Sequence, residues 1–242
     1  MVAPVRPEEG GVVMRTRKAS QESTDRQLGE RLVWVTGVLH KVGLLDGFGH
    51  LSARLPGDRF LCIPKMPPGK AKAGDLLTLD MEGRTISGQR EPPAEWPIHA
   101  AIYVRRPDVG AILHYHAESA IVLSLVGQPV RAVANCGVFF GKGTPIFDSP
   151  ALITTPELGR QVAETLGDQC AILLRGHGAV LVADTIERVL WLGVNLDKTA
   201  RIQILASALG TIKAHTDEEI AAIVAVEAGA NALEGRFLEF YR

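Results

Sequence analysis

The sequence predicts a layered α/β domain in which helices cover a central sheet, and three observations carry that prediction. Short apolar runs of strand length recur at residues 109–113, 171–174 and 179–182. Between them lie segments whose apolar residues repeat at helical spacing, beginning with Leu28, Leu32, Val35 and Leu39. The helical segments open on recognisable start signals, among them Thr155-Pro156-Glu157 and the Thr216/Glu219 pair. A chain of 242 residues can bury one full core, and it contains no internal repeat or low-complexity tract.

In chain order, residues 1–22 mix Pro, Gly and charges without sustained apolar periodicity and are expected to be a mobile extension, leaving one domain over residues 23–242. A first helix is expected from Thr24, which forms a capping box with Gln27, to just before Gly43. Short strands at 51–54, 60–63, 76–80 and 84–87 follow, the last two joined by the turn Met81-Glu82-Gly83, so this region reads as antiparallel. Pro92-Pro93-Ala94 opens a helix that carries Glu95 in its first turn and ends before Pro107. The strand at 109–113 delivers the chain to His114, and a helix over 117–125 starts directly afterwards. Thr155 starts a helix that stops at Gly167, Asp184 is placed to cap a long helix to about Leu209, and Thr216 opens one toward Ala228.

Composition excludes several function classes. With 26 basic and 27 acidic residues the formal net charge is −1, which gives no footprint for nucleic acid or an anionic membrane. A small molecule is therefore the expected partner. Cys62, Cys136 and Cys170 are odd in number and widely spaced, as suits reduced core thiols, and no apolar stretch is long enough to span a bilayer or form a signal peptide. A soluble cytoplasmic protein is expected. Gly141-Lys142-Gly143-Thr144 lacks the upstream glycine and the hydroxyl residue of a phosphate-binding loop and reads as a turn.

The chemistry concentrates in His114-Tyr115-His116 and Arg175-Gly176-His177-Gly178. Histidines at i and i+2 share one face of an extended strand, so one ion can bridge both rings. The glycines around His177 permit unusual backbone angles and close approach. Three imidazoles with open positions make a catalytic pattern, whereas structural zinc closes its shell with four protein ligands. A divalent ion on His114, His116 and His177, such as the Zn, Mn, Co or Fe that imidazole sites accept, would stabilise negative charge on a chelated oxygen, as aldol cleavage, epimerisation, dehydration and decarboxylation require. Glu95 is the candidate proton carrier.

Gly49-His50-Leu51-Ser52-Ala53-Arg54, Glu95-Trp96-Pro97-Ile98-His99, His114-Tyr115-His116-Ala117 and Arg175-Gly176-His177-Gly178 together resemble the class II aldolase/adducin family, in register over about residues 28–228. The resemblance implies a three-layer αβα fold with a central mixed, largely antiparallel sheet. It also implies one divalent ion per subunit on the three histidines, a glutamate role for Glu95, and a homotetramer with sites between subunits. The departures shape the expected activity. Sugar-phosphate aldolases of the family resemble Gly-Asn-x-Ser where this chain has His50, Thr-Gly near Pro64-Lys65-Met66, and a serine pair at Pro93-Ala94; they also carry a tyrosine acid where this chain reads Thr144-Pro145-Ile146-Phe147. Losing these donors disfavours a phosphate, and Lys65, with His50 and Ser52, suits a carboxylate instead.

The expected reaction is that of the family's decarboxylase branch, acting on a hydroxylated aromatic or enolic dicarboxylate such as 3,4-dihydroxyphthalate, with the metal as electron sink. Phe139, Phe140 and Phe147 are candidates to flank the ring. An aldolase or epimerase on a non-phosphorylated hydroxy-acid or sugar is the second expectation, and a metal-free adducin-like module is disfavoured by the intact histidines. Tyr241 is a candidate catalytic residue for a neighbouring subunit. His99, four residues after Glu95, is a candidate to orient that carboxylate.

Overall fold

The computed structural model of the chain describes residues 23–226 and 234–242 in full. Its elements are α1 (Gly10–Lys41), β1 (His50–Leu55), β2 (Arg59–Cys62), β3 (Leu77–Asp80), β4 (Thr85–Ser87), α2 (Trp96–Arg105), β5 (Ala111–Tyr115), α3 (Glu118–Leu125), β6 (Ile146–Phe147), α4 (Pro156–Leu166), β7 (Ala171–Leu174), β8 (Gly178–Ala183), α5 (Ile186–Leu209), α6 (Asp217–Ala230) and α7 (Ala232–Tyr241). The extension expected over residues 1–22 lies outside the residues described in full.

The strands form one eight-stranded sheet in the order β4-β3-β2-β1-β5-β8-β7-β6. Every neighbouring pair is antiparallel except β6 and β7, so the sheet is mixed but largely antiparallel. The pleat divides its residues between two cores, because successive side chains point to opposite faces. Leu51, Leu113 and Leu181 pack on one face with Leu32, Val35 and Leu39 of α1 and Leu190 and Leu196 of α5. Phe60, Ile112 and Val180 pack on the other with Ile98 and Ile102 of α2 and Val162 and Leu166 of α4. Helix, sheet and helix make the three expected layers.

Local signals account for most element ends. Thr155 accepts a hydrogen bond from the Leu158 N–H at the start of α4, and Thr216 and Glu219 bond each other's backbone N–H reciprocally before α6. Three expectations are corrected. The helix expected from Thr24 is assigned from Gly10. Thr185, one residue after Asp184, caps α5 by accepting from the Arg188 N–H. Glu95 is the N-cap of α2, one residue outside its first turn, and makes no side-chain capping bond. The elements β6 and α7 were not foreseen. β6 has two residues and shows no periodicity, since its place at the sheet edge comes from parallel pairing with Leu173 and Leu174.

Candidate metal centre

One end of the sheet gathers the histidines. His50 of β1 and His114 of β5 are register partners, and His114 lies opposite Val180 of β8 on its other side. His116 follows the end of β5, and His177 directly precedes β8. Two glycines hold His177 there. Gly176 has φ +68, and a Cβ on Gly178 would lie 2.3 Å from the Tyr115 carbonyl oxygen, so the strand approach needs a bare backbone. Glu95 reaches the same point from the N-terminus of α2. One ligand atom from each of Glu95, His114, His116 and His177 falls within 4.8 Å of the others.

Electrostatics show what this cluster suits. His114 Nδ1 lies 3.1 Å from the Ala179 carbonyl oxygen, which can only accept, so this nitrogen carries a proton and in the neutral ring Nε2 is bare. Bare Nε2 lies 3.3 Å from Glu95 Oε2 and 3.2 Å from His116 Nε2. His177 Nε2 lies 3.4 Å from the same carboxylate oxygen. Lone pairs facing a carboxylate at these distances repel unless a cation sits among them. The donor set therefore fits a divalent ion held by imidazoles, with the carboxylate in reach.

Protonation states agree with that use. Burial opposes ionisation of Glu95, yet positive charge at His114 and His177, as a proton or a bound cation, and the bond from the Ile153 N–H hold its carboxyl well below the usual carboxylate range. That N–H donates to Oε1 at 2.8 Å and leaves Oε2 for the cluster. Burial, and then any positive charge at His114 and His177, lowers His116 to about 4, so its ring is neutral and able to ligate at neutral pH.

A cavity of about 900 Å³ opens over the cluster, with His50, Lys65, Glu95, His116 and His177 among its lining residues. Much of the remaining wall is apolar, from Phe48, Pro64, Met66, Pro93 and Leu152. Lys65 sits on the exposed rim, 3.0 Å from Glu91. His50 is on the wall and 7% exposed, but Ser52 is fully buried behind it and does not line the cavity. Ser52 instead bonds His99 and Tyr103.

Two further expectations change. His99 does not orient Glu95: its ring bonds His50 and Ser52, and the Ile153 backbone holds the carboxylate. Phe139, Phe140 and Phe147 do not line the cavity; they pack in or against the cores, with Arg188 stacked 4.5 Å over the Phe139 ring. Phe48 takes the aromatic position at the cavity instead, and its only mark in the sequence is its place between Gly47 and Gly49. Ile153 left no mark at all, since a backbone N–H is independent of residue type. Tyr241 packs on Phe237 and Phe240, away from the lining of its own subunit's cavity.

Known proteins with the same pattern fall together. The family profile described as Class II Aldolase and Adducin N-terminal domain matches residues 30–204. The chain is 26% identical over 208 residues to the 3,4-dihydroxyphthalate decarboxylase of Arthrobacter keyseri, covering 79% of this chain and 84% of that one. It is 29% identical over 187 residues to the L-fuculose phosphate aldolase of Escherichia coli (strain K12), covering 76% and 86%. A solved L-fuculose 1-phosphate aldolase superposes with a TM-score of 0.76 at 24% identity, covering 81% of this chain and 94% of that one.

Proposed function

The chain belongs to the class II aldolase and adducin family, and on that premise we propose that it is a metal-dependent carbon–carbon lyase that decarboxylates a hydroxylated aromatic or enolic dicarboxylate, of which 3,4-dihydroxyphthalate is an example. The observation that carries this reading is the wall beside the donor cluster. It offers an imidazole and an ammonium, His50 and Lys65, and is otherwise apolar where Pro64, Met66, Pro93 and Ala94 stand. Such a wall can pair with a second carboxylate and lie against a flat ring, but none of the described lining residues brings a side-chain hydroxyl or amide for a phosphate.

His114, His116 and His177 would hold the ion, zinc ahead of Mn, Co or Fe, which when bound supplies Lewis acidity to the oxygens of a chelating carboxylate and its neighbouring hydroxyl. Glu95, held ionised, takes the hydroxyl proton through Oε2 while Ile153 fixes its other oxygen. As the bond to the departing carboxylate breaks, its electron pair stays on the ring carbon, carbon dioxide leaves, and Glu95 returns the proton to that carbon. His50 and Lys65 hold the second carboxylate, and the Lys65–Glu91 pair is exposed enough to yield to it. The apolar rim keeps water from the carbon that gains the proton.

A screen of ortho-hydroxylated aromatic dicarboxylates for carbon dioxide release, with and without chelator, tests the reading. Turnover that chelation removes is the expected result. Cleavage of a hydroxy-carbonyl compound to an aldehyde, with no turnover of any dicarboxylate, would replace it with the aldolase or epimerase reading on a non-phosphorylated hydroxy-acid or sugar, which the similar identity to the fuculose phosphate aldolase favours. The reading places the protein in a homotetramer, with Tyr241 serving a neighbouring subunit. Sedimentation of the wild-type chain and turnover of Tyr241→Phe test that part, and a fully active monomer would refute it.

A further inference from the structure

A buried polar chain runs behind His50. His50 Nδ1 lies 2.6 Å from His99 Nε2, His99 Nδ1 lies 2.6 Å from Ser52 Oγ, and Ser52 Oγ lies 2.8 Å from the Tyr103 hydroxyl. All four side chains are buried, and none of the three contacts joins the donor cluster. Each contact needs one donor and one acceptor, and a neutral imidazole has one nitrogen of each kind. The two contacts of the His99 ring are therefore coupled, and the chain through it runs in one of two directions.

Tyr103 decides which. Among the described residues its hydroxyl has Ser52 as its one hydrogen-bond partner, while the Arg54 guanidinium lies 4.6 Å over its ring. If the chain ran inward, Ser52 Oγ would accept from His99 Nδ1–H, and only one of the Ser52 and Tyr103 hydroxyl protons could be used between the two oxygens, so the other would stay buried with no acceptor, a penalty the outward direction does not carry. Outward, Tyr103 O–H donates to Ser52 Oγ, Ser52 O–H donates to His99 Nδ1, and His99 Nε2–H donates to His50 Nδ1. We infer that Tyr103, Ser52 and His99 form a one-way hydrogen-bond chain that fixes His50 as an Nε2–H donor on the cavity wall, set to bind an anionic oxygen of the substrate.

The supporting side chains hold the required states. Burial pushes the Tyr103 phenol well above its ordinary value, so it stays protonated. Burial lowers His99 to about 3, so its ring stays neutral. Phe60 stacks on His99 with centroids 6.2 Å apart and planes 17° apart, which fixes the ring's orientation. With Nδ1 committed to His99, Nε2 is the one polar atom His50 has left for the cavity. His50 is then a donor and never a proton acceptor, which leaves proton removal to Glu95. Tyr103, Ser52 and His99 are positioning residues that act through His50.

The proposed function enters only through the identity of the substrate oxygen; the proton positions stand without it. The test is nitrogen-15 NMR of the zinc-loaded full chain with labelled histidine, His50 being assigned by the signal lost in His50→Gln. Wild type is expected to show His50 protonated at Nε2 and bare at Nδ1. Ser52→Ala should turn that signal into a mixture of tautomers, Ser52→Thr, which keeps the hydroxyl, should restore it, and Tyr103→Phe, which leaves His99 Nδ1 as the one acceptor for the Ser52 proton, should keep it. A wild-type His50 protonated at Nδ1, or at both nitrogens, overturns the inference, and so does a signal unchanged in Ser52→Ala. Because the wild-type spectrum decides the direction, a variant that fails to fold leaves the test intact. The measurement needs no turnover, so loss of the decarboxylase reading would not change its result.

Discussion

His50 and His114 face each other across β1 and β5 as register partners, with ring centroids 5.1 Å apart, yet the surrounding bonds make their cavity-side nitrogens opposites. The far nitrogen of His114 meets a backbone carbonyl, which takes its proton and leaves a bare nitrogen for a metal. The far nitrogen of His50 meets His99, and the chain from Tyr103 makes that neighbour a donor, leaving an N–H for the substrate. Residue type and level across the sheet are the same for both. The bond on the remote nitrogen sets the role.

The largest expected effects fall on the His114 side. His114→Ala or His177→Ala should lose metal and activity together, as read by elemental analysis and turnover. Glu95→Gln should keep its metal yet lose turnover by about 10²–10⁴-fold, the usual worth of a positioned acid or base. An active Glu95→Gln enzyme would remove Glu95 from the proposed mechanism. On the other side, His50→Phe should keep full metal content and raise KM by about 10–100-fold, corresponding to one charge-assisted hydrogen bond of about 1.5–3 kcal/mol. Loss of metal in that variant would erase the distinction between the two histidines.

Smaller effects sharpen the same contrast. Gly178→Ala drives a Cβ toward the Tyr115 carbonyl, 2.3 Å away, and should destabilise the fold by about 1–3 kcal/mol in urea unfolding while weakening metal retention. Phe60→Leu removes the ring stacked on His99 and should cost about 1 kcal/mol with metal content unchanged. If Phe60→Leu instead released metal, the two sides would be one coupled unit.

Much of this site is legible in the chain. His114 and His116 share a face because strand side chains alternate, and the glycines around His177 announce a close backbone approach that Gly178 makes. Lys65 and His50 do reach the cavity. The misassignments have a common origin. His99 lies one helical turn from Glu95, which suggests contact, but Glu95 sits at the N-cap and its carboxylate turns to Ile153, while His99 faces β1. Ser52 shares a strand face with His50 and so looks available, yet it lies two residues further into the sheet, where α2 covers it and buries it fully. Phe139, Phe140 and Phe147 are apolar residues for which a core and a cavity make the same demand, and only packing distinguishes them.

The sequence by itself determined the layered architecture, most element boundaries and the residues that converge on the metal centre, because periodicity, capping and i, i+2 geometry act within a few residues along the chain. The tertiary structure alone decided which histidine nitrogen carries a proton. That choice rests on bonds between residues 65 positions apart for His114 and Ala179 and 49 apart for His50 and His99. Those pairs meet only when the sheet closes and α2 packs across it, so short-range pattern cannot encode their direction.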